Sequence, residues 1–206
     1  MILESIMSHM QNENDPKSPL NKKISSGMSA LREWIQVIAI ALIVALPIRF
    51  FVAEPFIVNG ASMDPTFSTG QFLIVDRLTY HFEEPQRGDV IVFEYPNDPS
   101  VYYIKRIIGL PNEIVSIKKG KVNIANQSSP EGFELDESYI DAAHASVDTL
   151  TVTLGKNEYF VMGDNRSQSS DSRAWGPLNE NYIVGRPIVR LLPFGSLSIL
   201  PGSLND

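Results

Sequence analysis

The chain has 206 residues, 43% of them hydrophobic and 20% charged, with 13 glycines, 14 prolines and no cysteine. That length suits one domain or two small ones, and the balance excludes collagen-like, wholly disordered and multi-span membrane chains. A net charge of −7 and a pI near 5.0 argue against nucleic acid as a main partner, and the absent cysteines exclude a disulfide framework, a thiol nucleophile and cysteine-ligated metal sites.

Residues 1–33 are polar, without a hydrophobic period, and read as a disordered tail. Trp34 opens an apolar stretch that runs through Leu46 and continues to Ala53, about 30 Å long as a helix and so matched to the hydrocarbon thickness of a bilayer. Arg49 sits near one end, where it can reach the headgroups. A buried core helix is one alternative. A cleaved signal peptide is another, but its polar leader would be too long, and Phe51-Val52-Ala53 lacks a small residue two positions before the cut. An uncleaved anchor over 34–53 fits better. Lys17, Lys22, Lys23 and Arg32 precede it and Arg49 alone lies at its far end, so the tail is expected in the cytoplasm and residues 54–206 outside.

Beyond Ala53 the pattern becomes short runs of Val, Ile, Tyr and Phe between turn residues. Strands are predicted at Phe56–Val58, Phe72–Leu78, Asp89–Tyr95, Val101–Ile108, Glu113–Ile117, Lys121–Ile124, Leu150–Leu154, Glu158–Met162 and Tyr182–Leu192. Such spacing predicts a mainly β fold, a barrel or sandwich. Residues 125–149 are polar and acidic and read as an inserted excursion.

Three segments could carry chemistry. Asn59-Gly60-Ala61-Ser62-Met63-Asp64-Pro65-Thr66 is a turn-prone loop, either a plain connector or the seat of a nucleophilic serine. A serine needs a base. His9 lies in the tail, while His81 and His144 occupy polar segments and read as surface residues. In Val101–Gly109 strand alternation cannot say whether Lys105 or Arg106 points inward, since both faces are apolar. Arg106 cannot serve as a base, whereas desolvation can lower a lysine pKa by several units. Alone, Lys105 reads equally as an edge lysine reaching solvent. The third segment, Gly163 to Gly176, is crowded with hydroxyls, two aspartates and two arginines, and is either a solvated turn or an ordered polar loop whose hydroxyl could steer a lysine amine.

Taken together and in order, the anchor, NGASMDPTF, RGDVIVF, YIKRIIGLPNE and GDNRSQSSDSRAWG resemble the type I signal (leader) peptidases, membrane-anchored Ser/Lys serine proteases. The resemblance covers roughly Trp34 to Gly176, and Arg186–Leu192 resembles the closing strand. It implies Ser62 as nucleophile and Lys105 as general base. Ser169 would hydrogen-bond the lysine amine, Asp171 and Arg173 would form an ion pair beside the site, and Arg106 with Asp164 a second pair. Met63 and Pro65 match shaping residues after the nucleophile, and Gly60 and Ala61 lie beside the oxyanion. Gly60 stands where some members place a serine donor; the Ser62 backbone amide would remain as one oxyanion donor, and the second is left open between water and another amide. The resemblance further implies a signal-peptidase-type catalytic domain on one N-terminal transmembrane helix, cleavage of signal peptides after Ala-X-Ala, and no metal or cofactor. Its partners would be preproteins and the bilayer, close to the secretion translocon. Two other readings are a self-cleaving repressor, which would carry a DNA-binding domain instead of an apolar span, and an inactive membrane-tethered β-domain that binds peptides and needs neither Ser62 nor Lys105.

Overall fold

A computed structural model describes residues 19–47, 52–140 and 142–204 of the chain. Two units result, residues 1–49 and 50–206. His9 and Arg49 lie outside the described residues.

The first unit contributes helix α1, Pro19–Pro47. Proline is well suited to a first helical position, where its missing N–H is not needed. Two boundaries differ from the sequence reading. The helix begins at Pro19, so residues 19–33 are not a disordered tail, and Ala53 belongs to a strand and not to the apolar helix. Good helix formers such as Leu20, Lys22, Lys23 and Leu31 extend the helix backward despite their lack of apolar period. No helix among the described residues is long and apolar enough to cross a membrane. Trp34, Ile35, Val37, Ile38, Ile40 and Ile43 of α1 are nevertheless exposed.

The second unit is β-rich, with strands β1 (Ala53–Ile57), β2 (Phe72–Asp76), β3 (Val90–Tyr95), β4 (Asp98–Gly109), β5 (Ile114–Lys118), β6 (Lys121–Asn126), β7 (Ser129–Glu134), β8 (Leu150–Thr153), β9 (Glu158–Met162), β10 (Leu178–Asn179), β11 (Ile183–Leu192) and β12 (Ser198–Ile199). The larger sheet runs β1-β2-β11-β3-β4-β9-β10, with β12 added on β11; the smaller runs β7-β6-β5-β8. Every described pairing is antiparallel. The larger sheet does not close into a barrel. β1 is its edge, and although Phe56 meets Tyr102 of β4 edge-on at 5.2 Å between ring centroids, these two strands do not pair.

Local chemistry accounts for the hairpins. Lys119 and Gly120 both have positive φ (51° and 82°), the backbone of a two-residue turn whose twist matches the flanking β5 and β6. Asn126 joins β6 to β7 by accepting the amides of Ser128 and Ser129 on its side-chain oxygen, at 3.0 and 2.9 Å. β7 lies within residues 125–149, which are therefore not an excursion outside the fold: β7 pairs with β6, and Leu135 packs on the core below it.

The core has three clusters, and β4 serves more than one. Ile108 packs with Val115, Ile117, Val122, Ile124 and Phe160 between the sheets, whereas Ile107 packs on the opposite side with Ile91, Phe93 and Val161. A third cluster holds Val58, Met63, Phe67, Leu73 and Val90, with Ile104 against it. With apolar residues wanted on both faces, β4 has no polar side on which to place a cation. Both of its cations are buried.

Candidate active site

The loop bearing Ser62 leaves β1 under tight control. Val58 N–H donates to Gln71 O and Gly70 N–H to Val58 O, both at 2.9 Å, prolonging the β1–β2 ladder. Past Gly60 the chain turns, with Asp64 N–H donating to Ala61 O at 3.2 Å and Phe67 N–H to Met63 O at 2.8 Å. Met63 and Phe67 plunge into the third core cluster and leave Pro65 exposed between them. Thus two buried anchors, one directly after Ser62, fix the loop from below.

Lys105 faces Ile91 across the β3–β4 register. It is 3% exposed, and its Nζ donates to Ser62 Oγ and to Ile104 O, each at 2.8 Å. The Tyr103 ring lies beneath it, 5.1 Å from Nζ to the centroid. Both hydrogen-bond acceptors are neutral. Burial pushes the Lys105 ammonium down from 10.5 to about 8, while the charges of Asp171 and Asp164 pull the other way.

Arg106, 1% exposed, has the opposite environment. Its Nε and Nη2 donate to the two carboxylate oxygens of Asp164 at 2.9 and 2.7 Å, and its Nη1 donates to the carbonyls of Gly88 and Gly202 at 2.8 and 2.7 Å. The fork geometry of a guanidinium suits this bidentate grip. Thr66 Oγ1 donates to the same carboxylate at 2.6 Å, which ties the serine loop to β4 through Asp164.

The third segment follows β9. Gly163 packs so closely that a Cβ on it would sit 2.3 Å from Ser62 O and 2.4 Å from Ser169 Oγ, which is why only glycine fits there. Asn165 N–H then donates to Ser62 O at 3.0 Å. Asp171 accepts the Gly163 amide at 3.0 Å and both Nε and Nη2 of Arg173 at 2.8 Å. It also caps the short helix α2 (Ser172–Trp175). Burial alone would raise the Asp171 carboxyl, but Arg173, the Ser169 hydroxyl and the Gly163 amide hold it below the usual carboxylate range. Ser169 Oγ acts there as a nearby dipole: it is buried, makes no hydrogen bond of normal geometry and is not a partner of the Lys105 amine.

Four supporting residues escaped the sequence reading. Arg166 pairs with Glu137 and reaches Tyr139 Oη at 3.4 Å; Arg173 donates to Ser146 Oγ at 3.0 Å and pairs with Asp148. All four lie between 125 and 149. The signal was present in the acidic character of that segment, since a buried arginine (Arg166) and a largely covered one (Arg173) in the polar loop require anions from somewhere. His81 is exposed, bonded through Nδ1 to Arg77 O at 2.9 Å, and His144 lies in a turn beside residues 166–168. Neither bonds to Ser62.

Ser62 and Lys105 line a cleft of about 310 Å³. Phe56, Ile57 and Val58 line one wall and Tyr102, Tyr103 and Ile104 the other, with Leu73 and Val92 also lining it. Such a site can place an extended peptide beside a hydroxyl that shares a hydrogen bond with a deprotonatable amine.

The profile of the signal peptidase family, peptidase S26, matches residues 31–192. The chain belongs to that family. The probable signal peptidase I-1 of Synechocystis sp. is 36% identical over 194 residues, spanning 88% of this chain and 95% of the relative. Signal peptidase I of Bacillus licheniformis is 34% identical over 181 residues, 85% and 96% of the two chains. A crystal structure of a signal peptidase I from Enterococcus faecalis is 29% identical, covers 50% of this chain and 97% of that one, and superposes with a TM-score of 0.43. This peptidase is a serine endopeptidase, and its family removes signal peptides from preproteins.

Proposed function

We propose that the peptidase cleaves by a Ser62/Lys105 dyad. Neutral Lys105 takes the Ser62 proton as Ser62 Oγ bonds to the scissile carbonyl carbon. The resulting ammonium gives that proton to the leaving amine, which departs as the new N-terminus of the mature protein. Lys105, neutral again, takes a proton from water as the water oxygen bonds to the acyl carbon, and it returns that proton to Ser62 Oγ as the acyl C–O bond breaks, freeing the signal peptide and restoring both residues. One observation carries this reading: the 2.8 Å hydrogen bond between Nζ and Oγ at a buried lysine whose two acceptors are both uncharged. Asp171 with Arg173, and Asp164 with Arg106, hold the loop around the dyad.

The substrate lies extended in the cleft between β1, an edge strand, and the first half of β4, which among the described residues pairs only with β3. The apolar lining favours small side chains next to the cut, in the Ala-X-Ala manner, because Leu73, Val92 and Ile104 crowd the space. The exposed apolar residues of α1 support a single-pass anchor, with the segment ahead of it in the cytoplasm and the catalytic unit outside, next to the translocon that delivers preproteins. Cleavage of a purified preprotein, with sequencing of the new N-terminus, tests the proposal. Ser62→Ala and Lys105→Ala should each abolish it, and processing retained by Lys105→Ala would remove lysine from the mechanism.

A further inference from the structure

The amides of Ala61 and Ser62 have no hydrogen-bond partner among the described residues, although both residues line the cleft. Gly60, just before them, has φ +103°, and nothing lies within 4 Å of where its Cβ would be. A glycine so placed is free to leave that conformation unless something holds it. Thr69 does. Its hydroxyl accepts the Gly60 N–H at 3.0 Å and donates to the Gly60 carbonyl at 3.1 Å, gripping one residue by both backbone groups. The Gly60–Ala61 peptide is trans, so its N–H points opposite to its C=O. With the carbonyl drawn to Thr69, which does not line the cleft, the Ala61 N–H is turned the other way. The Gly60 N–H, meanwhile, is already engaged.

We infer that Thr69 is a positioning residue for the oxyanion: its hydroxyl sets the Gly60–Ala61 peptide so that the Ala61 amide joins the Ser62 amide at the oxygen of the attacked carbonyl. This rests on Ser62 being the nucleophile. A single oxyanion donor is worth roughly 100-fold or more in kcat, and a donor left in place but misaimed loses part of that.

The test compares full-length Thr69→Val, which keeps the shape without the hydroxyl, with Thr69→Ser, which keeps the hydroxyl. Thr69→Val should lower kcat by roughly 10- to 100-fold with KM little changed and the acid limb of the pH profile unmoved, because Lys105 is not involved. Thr69→Ser should restore most of kcat. A peptide aldehyde forms a tetrahedral adduct bearing the oxyanion, so its affinity should fall in Thr69→Val, while a non-cleavable peptide of the same sequence binds as before. Wild-type kcat in Thr69→Val, an equal loss in Thr69→Ser, or loss of affinity for both ligands would each overturn the inference. Ser62→Ala in the same assay separates the two readings: if it is inactive while Thr69→Val is unimpaired, only the role of Thr69 falls, whereas an active Ser62→Ala removes the nucleophile and this inference with it.

Discussion

Lys105→Met should destroy activity and stabilise the fold near neutral pH, with an advantage that reverses in alkali. Burial takes the ammonium from 10.5 to about 8. That gap corresponds to roughly 3 kcal/mol against folding when both folded and unfolded chains carry the charge. The sign follows from proton counts. Below about 8 lysine is protonated in both states and the whole penalty stands. Between about 8 and 10.5 the folded chain has shed its proton while the unfolded one keeps it, so stability rises with pH; above 10.5 no penalty remains. Methionine removes the charge but also the bonds to Ser62 Oγ and Ile104 O, at about 1 kcal/mol each. The variant should therefore be about 1 kcal/mol more stable at pH 6 and about 2 kcal/mol less stable above the unfolded pKa. For a unit of this size the full swing corresponds to very roughly 6–12 °C in Tm. Thermal unfolding of the detergent-solubilised wild type and variant, followed by tryptophan fluorescence from pH 6 to 10.5, measures it. Parallel Tm curves across that range would refute a buried, depressed lysine.

Under the proposed dyad the same titration sets turnover: kcat/KM should rise about tenfold per pH unit below pH 8 and level off above it, and a limb displaced toward 10.5 would count against a buried Lys105 base. Gly163→Ala should reduce kcat by roughly 100-fold or more, because its methyl must displace Ser62 O or Ser169 Oγ; a variant with normal kinetics would mean that the loop yields without moving the dyad. In vesicles with the cytoplasmic face outward, added protease should remove an epitope placed at residue 10 and spare residues 54–206 until detergent is present, and digestion of the catalytic unit without detergent would reverse the proposed topology.

Much of the β fold was legible because Val, Ile, Tyr and Phe runs end at glycine or proline; the predicted strands fall on β1 to β6, β8, β9 and β11. β10 and β12 are two residues long, too short to show a period. β7 was hidden for a different reason. It is a polar edge strand containing Pro130 and Gly132, paired with one neighbour and mostly exposed, so no alternation marks it. The site was legible as three separate segments, yet pattern could not choose between Lys105 and Arg106. Periodicity reports which face is buried, and β4 is buried on both.

What distinguishes those two adjacent cations is where the anions went. Asp164 and Asp171 are the carboxylates whose charges raise Lys105, and either one bonded directly to Nζ would keep the amine protonated. Each is instead engaged by a guanidinium: Asp164 by Nε and Nη2 of Arg106, Asp171 by Nε and Nη2 of Arg173. An arginine holds its proton at any pH the protein meets, so it neutralises a buried carboxylate without itself becoming a base. The two pairs thus take up the nearby negative charge and leave Lys105 only a hydroxyl and a carbonyl to bond, which is the condition under which burial can dominate its ionisation. By this logic the arginines shape the chemistry without touching substrate, and the Lys105-Arg106 order on β4 is not interchangeable: a lysine at 106 could not grip both oxygens of Asp164, and an arginine at 105 could not give up a proton.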